Sequence, residues 1–254
     1  MKSETYTRIT VCDDVVAMAR VVASNLVAYS RQCVADQGFV TIAFPGGGTP
    51  IPLFNMLRSE PFASEMPWAG THIFVSDERM VPQEDDQSNM GSVRRHLLFN
   101  MPVPSDNIHD VNTQLSSSEA SREYSEELTK VIGLKKSRSD RSLDIVMLGL
   151  GEDGHIASIF PQSVEDDDKS VREVNYAYQG RPGSRVTFTS DFIRNAGKVI
   201  LIVAGDNKSE ILREILHGDH NELALPAQRI LRKDSPVEIF CDRAAAVELL
   251  TEFE

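Results

Sequence analysis

Apolar and polar positions along the chain alternate between two rhythms. Short, nearly continuous apolar runs bounded by Gly, Pro or Asp fall at 39–44, 72–75, 143–148, 185–189, 199–203 and 237–240, and runs of that kind suit strands covered on both faces. Between them lie longer amphipathic stretches, which predict helices over 15–35, 50–58, 90–99, 118–132, 191–195, 208–216 and 243–251. The alternation predicts an α/β fold in which a mostly parallel sheet is flanked by helices on both faces. In open sheets of this type ligands sit beyond the carboxyl ends of the strands. The residues that follow each predicted strand are therefore the first candidates for chemistry.

Several of these strand ends are chemically loaded. After the first comes Gly46-Gly47-Gly48-Thr49-Pro50, where Thr49 suits a helix N-cap and Pro50 the first helical position. Glycines there let backbone N–H groups crowd around an anion at a helix N-terminus, although a plain tight turn has the same composition. The spacing fits neither the dinucleotide fingerprint nor a Walker loop. Ser76-Asp77-Glu78-Arg79 follows the second strand and reads either as a structural ion pair or as a clamp for phosphate or carboxylate. Gly149-Leu150-Gly151-Glu152-Asp153-Gly154-His155 follows the third. It sets an Asp two residues before a His among glycines that leave room around the imidazole, a group suited to general-base work near neutral pH. Arg185 and Lys208 bring cations near two further strand ends; each alone is an ordinary surface charge, but a phosphate monoester needs two or more cations with backbone donors. No GxSxG elbow occurs anywhere in the chain, which removes the serine-hydrolase reading.

Composition narrows the class. The 254 residues are 41% apolar and 25% charged, which suits one globular α/β domain over 1–254, and no linker divides it. Two polar runs, 137–142 and 163–170, read as surface loops. A net charge of −12 argues against a nucleic-acid or membrane partner. An anionic substrate would have to be gathered by a few local cations. Residues 1–10 carry no apolar core of signal-peptide length and no run approaches a membrane span, so a cytoplasmic location is expected. Cys12, Cys33 and Cys241 are widely spaced, with no CxxC pair and no nearby His; they read as reduced core thiols, and no metal site is expected.

Taken in order, these segments resemble the 6-phosphogluconolactonase family, within the wider group that includes glucosamine-6-phosphate deaminase/isomerase. The resemblance runs from residue 39 to residue 231. It rests above all on Gly151-Glu152-Asp153-Gly154-His155-Ile156-Ala157-Ser158-Ile159-Phe160-Pro161, then on Ser76 to Arg79 with the later Ser88-Asn89, and least on the glycines. It implies a Rossmann-like fold and hydrolysis of 6-phospho-D-glucono-1,5-lactone to 6-phospho-D-gluconate, without metal or organic cofactor. It further implies His155 as the catalytic histidine, Asp77 with Arg79 as an acidic-basic pair, and Asp153 as the neighbouring carboxylate. Arg185 and Lys208 would hold the sugar phosphate, with Gly47, Gly48 and Thr49 as its loop. Family members often carry Ser where this chain has Gly48. Deaminase/isomerase sequences place a Glu where this chain has Phe160, which cannot relay a proton. A sugar-phosphate isomerase and a non-catalytic sugar-phosphate sensor are the alternatives. Nothing in the sequence demands a partner subunit, so a monomer is expected.

Overall fold

The computed structural model describes residues 8–135, 142–164, 169–231 and 237–251. Along the chain come β1 (Arg8–Cys12), α1 (Val15–Gln37), β2 (Val40–Phe44), α2 (Ile51–Leu57), α3 (Phe62–Glu65), β3 (Thr71–Val75), β4 (Asp77–Arg79), α4 (Asn89–Val93) and α5 (Ser117–Ile132). The remainder are β5 (Ile145–Gly149), β6 (Val171–Asn175), β7 (Ser184–Phe188), α6 (Ser190–Arg194), β8 (Lys198–Val203), α7 (Ser209–His217), β9 (Val237–Asp242) and α8 (Val247–Leu250). Helix α1 begins at Asp14, whose carboxylate accepts from the N–H groups of Val16 and Ala17 at 2.9 and 2.8 Å, as an N-cap should. It buries Met18, Val22, Leu26 and Val27 along one face.

Six strands form a parallel sheet in the order β1-β9-β8-β5-β2-β3. Strands β2 and β9 through β5 are almost wholly buried, which explains their continuous apolar runs. From β2 the chain steps outward to β3, whereas from β5 it steps the opposite way to β8 and β9. Neighbouring β2 and β5 therefore flank the point where strand order reverses, and a crevice opens there between the loops at their carboxyl ends.

A second sheet, β4-β7-β6, is antiparallel. Ser76 is the joint between the two: its N–H donates to Phe44 O of the parallel sheet at 3.1 Å, and its carbonyl accepts from Phe188 N of β7 at 2.9 Å. The expected strand at 185–189 thus belongs to this second sheet. The apolar pattern does not predict β1, β4 or β6, because exposed positions interrupt β1 and β6 and β4 consists of three charged residues.

Some helix boundaries differ from expectation. Thr49 is not an N-cap: Ile51 N donates to Gly48 O at 3.1 Å, so residues 48–51 form a turn, and α2 starts at Ile51 with Pro50 in the N-cap position and no side-chain cap. Thr49 faces the crevice instead. The stretch expected as one helix over 90–99 is α4 followed by a wider π-type turn at Arg94–Leu98. Of the two polar runs read as surface loops, residues 137–141 and 165–168 lie outside the described residues. Ser142 is buried, with Oγ donating to Phe192 O at 2.7 Å. The three cysteines are unpaired thiols, and burial pushes Cys33 up to about 11 and Cys241 up to about 12. Among the described residues no helix is long and apolar enough to cross a membrane.

Candidate active site

The crevice between the β2 and β5 loops brings together Gly47, Gly48, Thr49, Asp77, Arg79, His155, Arg185 and Lys208. Asp153, the remaining residue singled out from the sequence, does not line the cavity and stands behind His155. Its Oδ1 lies 2.5 Å from His155 Nδ1 and also accepts from the His155 N–H at 3.2 Å. Burial raises the Asp153 carboxyl, but the hydrogen bond and charge of His155 outweigh it and hold the carboxyl below its ordinary value. An ionised carboxylate at Nδ1 requires that nitrogen to carry the ring proton, which leaves the Nε2 lone pair as the basic atom. Gly151 makes the approach of the imidazole possible, since a Cβ there would meet His155 Nδ1 at 2.0 Å.

Asp77 is not a partner of the imidazole. Its Oδ2 accepts from Ser158 Oγ at 2.6 Å, and Asn89 Nδ2 donates to its backbone carbonyl at 2.7 Å and to Oδ1 at 3.2 Å. Asn89 Oδ1 in turn accepts from Arg79 Nη1 at 2.7 Å, and the same Nη1 reaches Gln87 O at 2.7 Å. The glycine loop is shaped by this network, because a Cβ at Gly46 would fall 1.8 Å from Asn89 Oδ1.

Arg79 and Arg185 are register partners across β4 and β7 and are only 8% and 2% exposed. Two like charges placed opposite each other in a sheet destabilise it, and burial adds to the cost. Burial lowers the Arg185 guanidinium, with Asp77 opposing and Arg79 and Arg181 reinforcing that effect. Arg185 Nε donates to Pro182 O at 3.0 Å and Nη1 to Ser158 Oγ at 3.4 Å, and its guanidinium carbon lies 5.2 Å from the centre of the Phe160 ring. Arg185 Nη2 and Arg79 Nε are buried with no hydrogen-bond partner among the described residues. Lys208 is drawn down chiefly by burial, against the pull of Glu152 and Asp153. The crevice therefore offers cations and backbone donors for an anion at one side of a His-Asp pair.

A family model described as glucosamine-6-phosphate isomerases/6-phosphogluconolactonase matches residues 13–239, which include every site residue named above. The chain belongs to this family. A 6-phosphogluconolactonase of Haemophilus influenzae is 33% identical over 207 residues, covering 81% of this chain and 86% of the relative. One from a Nostoc species is 33% identical over 218 residues, covering 85% and 87%. The solved structure of 6-phosphogluconolactonase from Trypanosoma cruzi superposes with a TM-score of 0.83 at 26% identity, covering 96% of this chain and 97% of that one.

Within this glucosamine-6-phosphate isomerase/6-phosphogluconolactonase framework, several residues of the site receive no role from the sequence. Ser158 links Asp77 to Arg185. Glu78 accepts from the N–H groups of Arg79, Asn89 and Met90, each at 2.8 Å, and from Ser88 Oγ at 3.1 Å. It closes the N-terminus of α4 and so fixes Asn89. The alternation of a strand gives the reason: Glu78 points away from the crevice while Asp77 and Arg79 point into it. Tyr178 and Arg181, from the connection between β6 and β7, also line the cavity. Tyr178 meets His155 edge-on with ring centroids 4.9 Å apart.

Proposed function

We propose that this chain hydrolyses 6-phospho-D-glucono-1,5-lactone to 6-phospho-D-gluconate, the second step of the oxidative pentose phosphate pathway, with His155 as general base. The observation that carries the reading is the Asp153-His155 pair set beside two buried, opposed arginines, which supply the base for a hydrolysis and the charge for a phosphorylated substrate. The curated relatives named 6-phosphogluconolactonase support it over most of the chain. Gly47, Gly48, Thr49, Arg185 and Lys208 hold the phosphate, and Arg79, tied down by Asn89 and Gln87, adds a fixed positive charge. His155 Nε2 takes a proton from water as the water oxygen bonds to the lactone carbonyl carbon. The tetrahedral intermediate then expels the ring oxygen, and the imidazolium returns the proton to it. Asp153 holds the ring and stabilises the imidazolium, while Asp77, anchored by Ser158, faces the sugar hydroxyls.

Isomerase or deaminase chemistry is disfavoured by Phe160, whose ring packs against His155 at 4.8 Å and offers no carboxyl to shuttle a proton. The same reading takes residues 1–254 as one catalytic domain, monomeric and cytoplasmic, which agrees with three unpaired thiols. The test is a coupled assay in which glucose-6-phosphate dehydrogenase generates the lactone and 6-phosphogluconate dehydrogenase reports its opening. Catalysis far above the spontaneous rate is expected; a folded protein that adds nothing to that rate would sink the proposal.

A further inference from the structure

The connection between β6 and β7 ends in a two-residue turn of type I′. Gln179 (φ 49°) and Gly180 (φ 72°) occupy its central positions, and Arg181 N donates to Tyr178 O at 3.0 Å. A turn of this type makes Tyr178 and Arg181 direct cross-strand partners, with side chains leaving the ribbon on the same face. The direction of that face is set by Tyr178, whose ring stands against His155. Arg181 accordingly lines the cavity containing His155 and Lys208, and also the adjoining cavity walled by Gly47, Gly48 and Arg79.

The hairpin is held in this position. Tyr176 stacks on Phe160 with centroids 4.3 Å apart, its N–H donates to Gly183 O at 2.8 Å, and Arg185 Nε binds Pro182 O at 3.0 Å. The guanidinium of Arg181 is exposed, and among the described residues it has no hydrogen-bond or ion-pair partner, unlike Arg79 and Arg185 with donors already committed. Its charge is felt by both Arg185 and Lys208. An arginine placed beside other cations without an acidic partner raises the local repulsion, and a phosphate dianion relieves it by bidentate hydrogen bonding. In a chain of net charge −12, such a residue at the crevice mouth also supplies local attraction for an anion against the overall field.

We propose that Arg181 is a phosphate-recognition residue for the lactone, carried over the crevice by the Tyr178–Arg181 turn. The inference rests on the reading of the crevice as a sugar-phosphate site. Because its side chain reaches the site from the exposed rim, Arg181 acts on substrate binding more than on the chemical step.

Titration calorimetry with 6-phospho-D-gluconate reads the contact without turnover. Loss of one charge-assisted interaction in R181A weakens binding about ten- to a hundredfold, and R181K recovers part of the loss. In steady state R181A raises KM for the phosphorylated lactone by a similar factor, while hydrolysis of unphosphorylated D-glucono-1,5-lactone changes less than about twofold. Equal affinity of native protein and R181A for the phosphorylated acid would overturn the proposal, as would parallel losses on both lactones, which would mark a hairpin defect. A native protein that binds the phosphorylated acid but opens no lactone would refute the lactonase reading alone and leave the binding result to decide the role of Arg181.

Discussion

Asp153 Oδ1 and His155 Nδ1 are 2.5 Å apart, and that contact determines which ring nitrogen is free to act as a base. Replacing His155 by Ala removes the base and is expected to lower kcat by roughly 10²–10⁴. D153N leaves the ring in place but removes the charge that stabilises imidazolium and can present an amide N–H to Nδ1, which favours the wrong ring tautomer, so kcat falls by a comparable factor. An unchanged kcat in D153N would show that the pair does not govern the chemical step.

Gly48 and Gly46 lie two residues apart and are expected to respond oppositely to substitution. A Cβ at Gly48 meets nothing within 4 Å, whereas one at Gly46 collides with Asn89. G48S should fold normally, gain about 0.4–1 kcal/mol from reduced freedom of the unfolded chain, and lower KM by about two- to tenfold through an added hydroxyl donor. G46A should lose about 1–3 kcal/mol through overpacking and displace the Asn89 contact to Arg79. Thermal unfolding with steady-state kinetics checks both. A higher KM in G48S would move the substrate phosphate away from this loop.

Much of this geometry follows from patterns visible in the chain, and the exceptions have physical causes. Strands β2, β5, β8 and β9 are legible because sheets covered on both faces demand continuous apolar runs. The Asp153-His155 pair is legible because its partners are two residues apart in a glycine-rich loop. Strand β4 is not, since Asp77, Glu78 and Arg79 look like a solvated strand exit; they are buried because α4 receives Glu78 on one side and the crevice takes Asp77 and Arg79 on the other. The N-cap expected at Thr49 fails because the Gly48 carbonyl takes the Ile51 N–H in a turn. Tyr178 and Arg181 become site residues only through the pairing of β6 with β7, which no local pattern announces.

Far from the crevice, the outer edge of β3 carries a chain of hydrogen bonds with a pH consequence. His72 Nδ1 and His109 Nε2 are 2.9 Å apart, and His109 Nδ1 is 2.9 Å from Glu127 Oε1. Burial holds both imidazoles below their ordinary value; the neighbouring imidazole reinforces this for His72, and Glu127 opposes it for His109. A histidine whose folded value is depressed binds fewer protons folded than unfolded, so stability rises with pH through the interval below 6.5 and is lost as pH falls through it. The unfolding free energy should therefore decline on acidification below that point, by at most about 1.4 kcal/mol per pH unit for His109. A flatter dependence is expected in H109Q, and an identical slope in H109Q and native protein would exclude this cluster as the source.

Phe160 ties the aromatic wall of the crevice to its charged floor. Its ring contacts His155 and Tyr176, with centroids 4.8 and 4.3 Å away, and lies under the Arg185 guanidinium at 5.2 Å. Truncation in F160A removes a fully buried ring and should cost about 3–5 kcal/mol, enough to confuse activity loss with unfolding. F160L separates the two effects, because it keeps most of the apolar volume and should cost less than about 1.5 kcal/mol. What it lacks is the π-face under Arg185, worth about 0.5–2 kcal/mol at a partly desolvated site. If that face positions Arg185 for the substrate phosphate, F160L shows a KM several-fold higher with a well-preserved melting temperature. If KM stays at the native value while only stability drops, Phe160 serves the fold alone, and the orientation of Arg185 must come from Pro182 and Ser158.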